Sequence, residues 1–338
     1  MTPQQLKEWL NLPDETKKNI FNETAVSVGL PVAAIEKDWW VVRTIQLVFE
    51  SSIGKDTVFK GGTSLSKVWN LIDRFSEDID LALDRKFLGF NKEDDEMTAS
   101  QVRRLREQSS TFIEQEYFPE LEKRFKDSGL DVVQLRLSEI KTRDQDPLII
   151  EVYYHSVVEK NAYLYPRVLI EIGSRSMIEP FEERSFATLV AAKFKDRLFS
   201  DTPIMVPTVI PERTFLEKIY LLHEEFQQSI DKIRVDRKSR HLYDLEKLMD
   251  TDYAKRALQD IQLQNTIINH RKRITPLRGI DYDNHVRGKF NILPPENVIE
   301  AWERDYKAMA ESMFYNESLL FSDLIERISK LNKTINNG

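Results

Sequence analysis

The stretch Phe59–Leu83, FKGGTSLSKVWNLIDRFSEDIDLAL, constrains this chain more than any other. A short β-prone run, Thr57–Lys60, ends at Gly61–Gly62. A helical pattern over Thr63–Ile72 follows, with Leu65, Val68, Trp69 and Ile72 on one side. Asp78–Leu83 then alternates acidic and apolar residues, as a strand with one polar face does. Glycines let a backbone approach a ligand closely and take φ/ψ values that other residues avoid. The unpaired N–H groups and dipole at a helix start favour an anion, and Ser64 stands either to cap the helix or to bond a phosphate oxygen. Taken alone, the Gly-Gly turn reads equally as an ordinary strand-to-helix turn. Asp78 and Asp80 lie two apart, so both carboxylates share a face while Ile79 and Leu81 turn to the core. Such a pair repels unless a cation sits between the two acids. Hard oxygen ligands suit Mg²⁺, with Mn²⁺ as its substitute, and phosphate oxygens complete the shell. A phosphate-holding turn followed by a metal-binding strand is the minimal set for phosphoryl or nucleotidyl transfer. A polar strand face turned to solvent is the plain alternative.

Upstream, Pro31 opens a helix on which Ile35, Trp39, Val42, Ile45 and Val48 or Phe49 recur at helical spacing. Trp39 fits that apolar stripe, so a base-stacking role for Trp39–Trp40 is the weaker reading. Residues 84–128 are rich in Glu, Lys, Arg and Gln and predict a helical insertion, with helices over Ser100–Phe118 and Pro119–Ser128. Strands are predicted at Asp131–Leu137, Leu148–His155, Arg167–Ile172 and Ile204–Ile210, with a helix at Ser185–Phe199 between the last two. Beyond Pro211 the pattern is helical at Arg213–Gln228, Arg240–Met249, Tyr253–Asn269, Pro295–Met313 and Ser318–Leu331. The tail Asn332–Gly338 reads as frayed. The class expected is therefore α/β (α+β). A mixed-sheet lobe flanked by helices takes residues 1–205, and a mainly helical lobe closing a cleft takes 206–338.

Composition removes several chemistries. The 338 residues contain no cysteine, which excludes disulfides, thiolate zinc sites and a cysteine nucleophile and suits a cytoplasmic setting. The N-terminus lacks a basic region followed by an apolar run, and no apolar window is long enough to span a bilayer, so no membrane association is expected. A net charge of −7 argues against general nucleic-acid binding. Lys232–Arg240 (KIRVDRKSR) and Arg271–Arg278 are local exceptions, read either as contacts for a nucleic-acid backbone or as solvated faces. No Walker loop, dinucleotide fingerprint or Gly-x-Ser-x-Gly elbow is present.

Gly-Gly followed by Asp-x-Asp resembles the nucleotidyltransferase superfamily that includes DNA polymerase beta. KGGTSLSK and RFSEDIDL resemble, more closely, the AbiEii family of nucleotidyltransferase-like toxins. Ile35–Val41 (IEKDWWV), Arg213–Ile219 (RTFLEKI) and Arg240–Leu245 (RHLYDL) are similar to further motifs of that family, from about residue 35 to 250. The resemblance implies that Asp78 and Asp80 bind catalytic metal ions. It implies that Gly61, Gly62, Thr63 and Ser64 hold the triphosphate, with Arg74 and Ser76 shaping the turn or touching a phosphate. Arg74 has a surface ion pair as its rival. The superfamily's third carboxylate falls on Glu171 (VLIEIGS), with Glu151 (LIIEVYY) as its rival. Lys218 and Asp244 occupy positions that the family uses near the nucleotide. The plain readings are a snorkelling Lys218 and an Asp244–Arg240 helix salt bridge, and Lys218–Asp244 pairing across two helices is a third. His241 is expected at the surface, with a base or ribose contact as the alternative.

The resemblance further implies a phage-defence toxin neutralised by a separate antitoxin. Its activity would be nucleoside monophosphate transfer from GTP or CTP onto RNA, with tRNA as the leading acceptor. In-line attack of an acceptor hydroxyl at the α-phosphorus would release pyrophosphate. Transfer to a protein Ser, Thr or Tyr hydroxyl uses the same set, and a non-catalytic nucleotide-binding module is the reading from a different class.

Overall fold

The computed structural model describes residues 1–76, 78–130, 132–159, 164–314 and 318–337. Asp131, where one predicted strand begins, and Gly338, the end of the predicted frayed tail, lie outside them. The chain forms two compact units, one of residues 1–68, 75–91 and 100–209 and one of residues 69–74, 92–99 and 210–338. Among the described residues, no helix is long and apolar enough to cross a membrane.

The first unit begins with α1 (Pro3–Leu10), α2 (Asp14–Val28) and α3 (Val32–Phe49). Strand β1 (Thr57–Lys60), helix α4 (Gly61–Lys67) and strand β2 (Asp78–Leu83) follow. Then come α5 (Ala99–Phe112), a π-helical turn at Ile113–Tyr117, α6 (Phe118–Asp127), β3 (Gln134–Leu137), β4 (Leu148–Tyr153), β5 (Arg167–Gly173), β6 (Phe181–Phe186), α7 (Leu189–Lys193) and β7 (Ile204–Val209). The strands form one mixed sheet in the order β3-β4-β5-β2-β1-β7-β6, in keeping with the α/β (α+β) expectation. Strand β2 runs parallel to β5 and antiparallel to β1. One sheet face is apolar: Phe59, Ile79, Leu81, Ile150, Val152, Val168, Ile170 and Ile172 are buried. Helix α3 packs against β2 and β5. Trp39 stacks on Trp9 and Trp40 on Tyr154, so both tryptophans are core and neither is a base-stacking platform.

Three expectations need correcting here. The helix predicted over Thr63–Ile72 stops at Lys67, and Asn70 takes φ +52°, a left-handed conformation that asparagine tolerates better than most residues. The helix predicted over Ser185–Phe199 shrinks to α7, capped by Thr188, whose hydroxyl accepts from the Ala191 amide at 3.0 Å. Residues Phe181–Phe186 form a strand that periodicity missed. Strand β6 is the sheet's edge and mostly exposed, so its charged residues carry no inside–outside alternation.

The second unit contains α8 (Pro211–Glu225), α9 (Arg240–Leu248), α10 (Asp252–Gln259), α11 (Ile261–Arg273), α12 (Glu296–Met313) and α13 (Phe321–Asn337). Phe215, Leu216, Ile219 and Leu222 of α8, Leu242 and Leu245 of α9, Trp302 of α12 and Leu324 and Ile328 of α13 make its core. The single helix predicted over Tyr253–Asn269 is two, because the Asp260 carboxylate caps a new start by accepting from the Leu263 amide at 2.9 Å. The tail is helical to Asn337 rather than frayed. Asn336 exchanges two hydrogen bonds with the Phe290 backbone, at 3.0 and 2.9 Å, and Asn332 accepts from the Ile292 amide.

Candidate active site

Alternation along β2 places its acids. Ile79 and Leu81 are 0% and 2% exposed and fix one face inward, which leaves Asp78 and Asp80, both half-buried, on the other. Register then sets Lys60 of β1, Asp80 of β2 and Glu171 of β5 in one row across three strands. Gly61 meets this row directly. It has φ +81°, and a Cβ built on it would fall 1.9 Å from Asp80 Oδ2. The turn and the carboxylate therefore occupy one place, and only a residue without a side chain lets them. Thr63 and Ser64, at 1% and 0% exposure, direct their hydroxyls into the protein. Thr63 donates to the Asp78 carbonyl, with Ser76 Oγ 2.9 Å away, and Ser64 donates to the Gly61 carbonyl at 2.8 Å. These side chains build the turn and tie it to the start of the acidic strand. Gly62 is half-buried beside them.

Glu171 and Glu151 read alike in sequence, and the fold separates them. Glu151 is surrounded by protein donors: Ser138 Oγ at 2.7 Å, the Tyr153 hydroxyl and Arg167 Nη1 at 2.9 Å. The Tyr153 hydrogen bond leads in holding its carboxyl below the usual range, with Ser138 and Arg167 adding and burial opposing. Glu171 instead faces Asp80 across the β2–β5 pair.

In the second unit, Asp244 of α9 is fully buried and bound on two sides. Arg74 grips it with Nε at 2.7 Å and Nη2 at 2.8 Å, and Lys218 of α8 reaches Oδ2 at 2.8 Å. Burial pushes the Asp244 carboxyl up, but Arg74 and Lys218 outweigh it and hold the group well below the usual carboxylate range. Lys218 is 7% exposed, and its pKa is lowered by burial against the pull of Asp244. Asp244 thus pairs with Lys218 across two helices and with Arg74, a residue distant in sequence, and Arg74 is buried rather than at the surface. His241 is also buried, against expectation, at 8% exposure. Among the described residues neither ring nitrogen has a hydrogen-bond partner, and burial followed by the nearby Lys218 and Arg240 lowers its pKa far below 6.5.

The basic runs are partly structural. Arg234 binds the buried Glu225, with Nε 3.0 Å from Oε2, and Arg271 Nε binds Glu224 at 2.6 Å. The Arg237 and Ser239 amides donate to Asp305 at 2.7 and 2.9 Å. The two runs meet at a hollow of about 490 Å³ lined by Gln228, Ser229, Lys232, Arg278 and Gly279.

Asp38 and Lys67 lie within IEKDWWV and KGGTSLSK, and the sequence alone assigns neither a task. Asp38 is 4% exposed and pairs with Lys67 at the end of α4. The available signal was a charged Glu-Lys-Asp triplet inside an apolar helix, where each charge needs a partner.

Among the described residues, no three His, Cys, Asp or Glu side chains are drawn together as a metal cluster. The donors nevertheless suit a hard divalent ion. Asp78 and Asp80 share a face, Glu171 stands opposite Asp80, and the lack of a side chain on Gly61 lets Asp80 Oδ2 lie against the turn.

A family model described as nucleotidyl transferase AbiEii toxin, type IV toxin–antitoxin system, matches residues 46–327. No curated protein matches the chain. Among solved structures, MenT4, a nucleotidyltransferase toxin from Mycobacterium tuberculosis, is 16% identical with a TM-score of 0.45, covering 95% of this chain and 97% of that one. JHP933 from Helicobacter pylori is 13% identical with a TM-score of 0.43, covering 91% and 93%. Both are distant likenesses, and the family match stands on sequence alone.

Proposed function

Because the chain belongs to the AbiEii nucleotidyl transferase toxin family of type IV toxin–antitoxin systems, we propose that its transfer chemistry takes place where β2 meets the Gly61 turn. The observation that carries this reading is the fit of Gly61 against Asp80 Oδ2. It makes one site of a turn suited to phosphates and a strand suited to a cation.

Asp78 and Asp80 hold a divalent ion, Mg²⁺ by its preference for hard oxygens with Mn²⁺ able to replace it, and Glu171 is the third carboxylate. When bound, that ion offsets phosphate charge and makes an acceptor hydroxyl easier to ionise. The backbone of Gly61–Ser64 receives the triphosphate, while the Thr63, Ser64 and Ser76 hydroxyls keep the turn in shape. The family resemblance gives Lys218 a role towards the nucleotide; Asp244 orients it, and Arg74 fixes Asp244. The acceptor oxygen bonds to the α-phosphorus as the bond to the bridging oxygen of pyrophosphate breaks. A carboxylate of the site takes the hydroxyl proton.

The acceptor is RNA, with tRNA as the leading candidate, and the donor is GTP or CTP. These choices follow the family resemblance. The hollow at Lys232 and Arg278 supports RNA, since it brings both basic runs to one surface place. Arg234, paired with Glu225 yet exposed, stands in the same basic run as Lys232. The protein acts in the cytoplasm as the toxin of a phage-defence pair, neutralised by its antitoxin.

The test is incubation of the protein and an Asp80→Asn variant with each α-labelled nucleoside triphosphate, total RNA and cell protein. Label should enter RNA with the wild type alone. Label in protein instead of RNA would make a protein hydroxyl the acceptor. Equal incorporation by both proteins would remove Asp80 from the chemistry. Reversing the charge of Lys232 and Arg278 should weaken RNA binding and flatten its salt dependence; unchanged binding would remove the hollow from the RNA path.

A further inference from the structure

We propose that the buried Asp38–Lys67 ion pair is a positioning latch, fixing α4 so that the Gly61 turn and the acidic end of β2 hold each other in register. It rests on the reading of that turn and strand as the active site. Helix α4 spans only Gly61–Lys67, and no side chain caps its start. A helix this short is marginal by itself and takes its position from what grips it. Two grips are present. Near its start, Thr63 bonds the Asp78 carbonyl and lies against Ser76. At its last residue, Lys67 forms an ion pair with Asp38 of α3. Ahead of both, at the first residue of α4, Gly61 abuts Asp80.

Asp38 is itself firmly set. Its flanking residues Ile35, Trp39 and Val42 are 0%, 1% and 0% exposed, so α3 is locked in the core at this turn. The Oδ2 atom of Asp38 accepts from the Leu189 amide at the start of α7, at 2.8 Å. The adjoining Thr188 gives its amide and hydroxyl to Asp201, which also takes Arg43 Nη2 of α3 at 2.8 Å. Two acids thus join α3 to α7, and one of them extends the connection to α4. Glu36, two residues from Asp38, serves elsewhere: it accepts from Ser156 Oγ at 2.6 Å and the Val157 amide at 2.7 Å. Asp38 belongs to none of the groups assigned to the reaction and acts through α4, as a positioning residue.

The test compares full-length wild type with Asp38→Asn, Lys67→Met, the double variant, Lys67→Arg and the Glu36→Gln control. Two readouts are taken: amide hydrogen exchange of residues 61–67, and nucleotide KM against kcat. Asp38→Asn and Lys67→Met should each speed exchange in 61–67 by about tenfold or more and raise KM further than they lower kcat. The double variant should match the singles, since all three remove one pair. Lys67→Arg should restore most of both readouts, and Glu36→Gln should leave both at wild-type values. If Asp38→Asn fails to fold, Lys67→Met and Lys67→Arg decide the matter. Unchanged exchange in 61–67, additive single effects, or equal damage from Glu36→Gln would overturn the latch. An Asp80→Asn protein as active as wild type would instead overturn the active-site reading, and the exchange result would still stand for or against the latch.

Discussion

Asp80 and Asp244 are both acids suited to gathering cations, and the protein holds them in opposite ways. Asp80 is half-buried beside Gly61, a neighbour with no side chain to pair with it. Asp244 is 0% exposed, clasped through both oxygens by Arg74 and through one by Lys218. On the proposed function, the first takes up and releases ligands during turnover. The second cannot change partners without leaving a charge buried and unpaired. One acid is the one the proposal gives to the chemistry, and the other is committed to holding a lysine and an arginine in place.

Swapping the damage between these two acids should break the comparison if it is wrong. Asp80→Asn should lower turnover by roughly a thousandfold, the loss of about 4 kcal/mol of transition-state stabilisation. Its denaturant unfolding should stay within about 0.5 kcal/mol of wild type, as at a position without a buried partner. Asp244→Asn should instead destabilise the second unit by about 3–5 kcal/mol, because Arg74 and Lys218 lose their counter-charge. An Asp244 variant as stable as wild type would show that the cluster is not a fixed ion pair.

Gly61→Ala tests the close approach itself. The new methyl would meet Asp80 Oδ2 and would sit at φ +81°. Turnover should fall by roughly a hundredfold, about 2.7 kcal/mol of barrier, with a stability loss of about 1–2 kcal/mol. Full activity would place the chemistry away from this turn. A finer contrast separates Glu171 from Glu151. Glu171→Gln should cost about tenfold in rate, or about 1.4 kcal/mol. Glu151→Gln should act on stability alone, by about 1 kcal/mol, through its bonds to Ser138, Tyr153 and Arg167. Reversed results would make Glu151 the third carboxylate.

The smallest effect is a slope with pH, and it is clearest in the second unit. His223 is lowered to about 4, chiefly by burial and then by His285, and His241 lies far below 6.5. Below about pH 6.5 the unfolded chain binds these protons first, so the second unit loses stability as pH falls from 6.5 towards 4. Asp244, whose pKa is depressed, gives up its contribution only as pH drops below the ordinary carboxylate value. In the first unit, burial raises Glu36, Asp38 and Asp146, while hydrogen bonds, against burial, hold Glu120 and Glu151 low and burial lowers the Met1 amine. The raised acids gain from mild acid and the lowered groups lose by it, so the first unit carries opposing contributions. Hydrogen exchange at pH 7 and pH 5 should show the second unit loosening first, and His223→Asn with His241→Asn should flatten its slope.

Much of the site was legible because β2 has one buried face: a period of two in DIDLAL is a direct record of burial. The glycine turn was legible for the same local reason. Partners brought in from far along the chain were not. Asp244 has Arg240 one helical turn away, yet Arg74, distant in sequence, takes it. Glu151 and Glu171 each stand alone among apolar strand residues, and only register shows that one faces Asp80 while the other faces Tyr153 and Arg167. Edge strand β6 wrote no period because neither face is fully covered. The last turns of the C-terminal helix, beyond the predicted Ser318–Leu331, were hidden because Asn332 and Asn336, ordinary marks of a loose tail, bond to the backbone at 290–292.

The most direct measurement is anomalous diffraction from crystals soaked with Mn²⁺ and a non-hydrolysable nucleoside triphosphate. The account predicts an anomalous peak about 2.0–2.2 Å from carboxylate oxygens of Asp78 and Asp80, with phosphate density on the backbone of Gly61–Ser64. A well-occupied nucleotide and manganese bound elsewhere, with both aspartates free of metal, would contradict it.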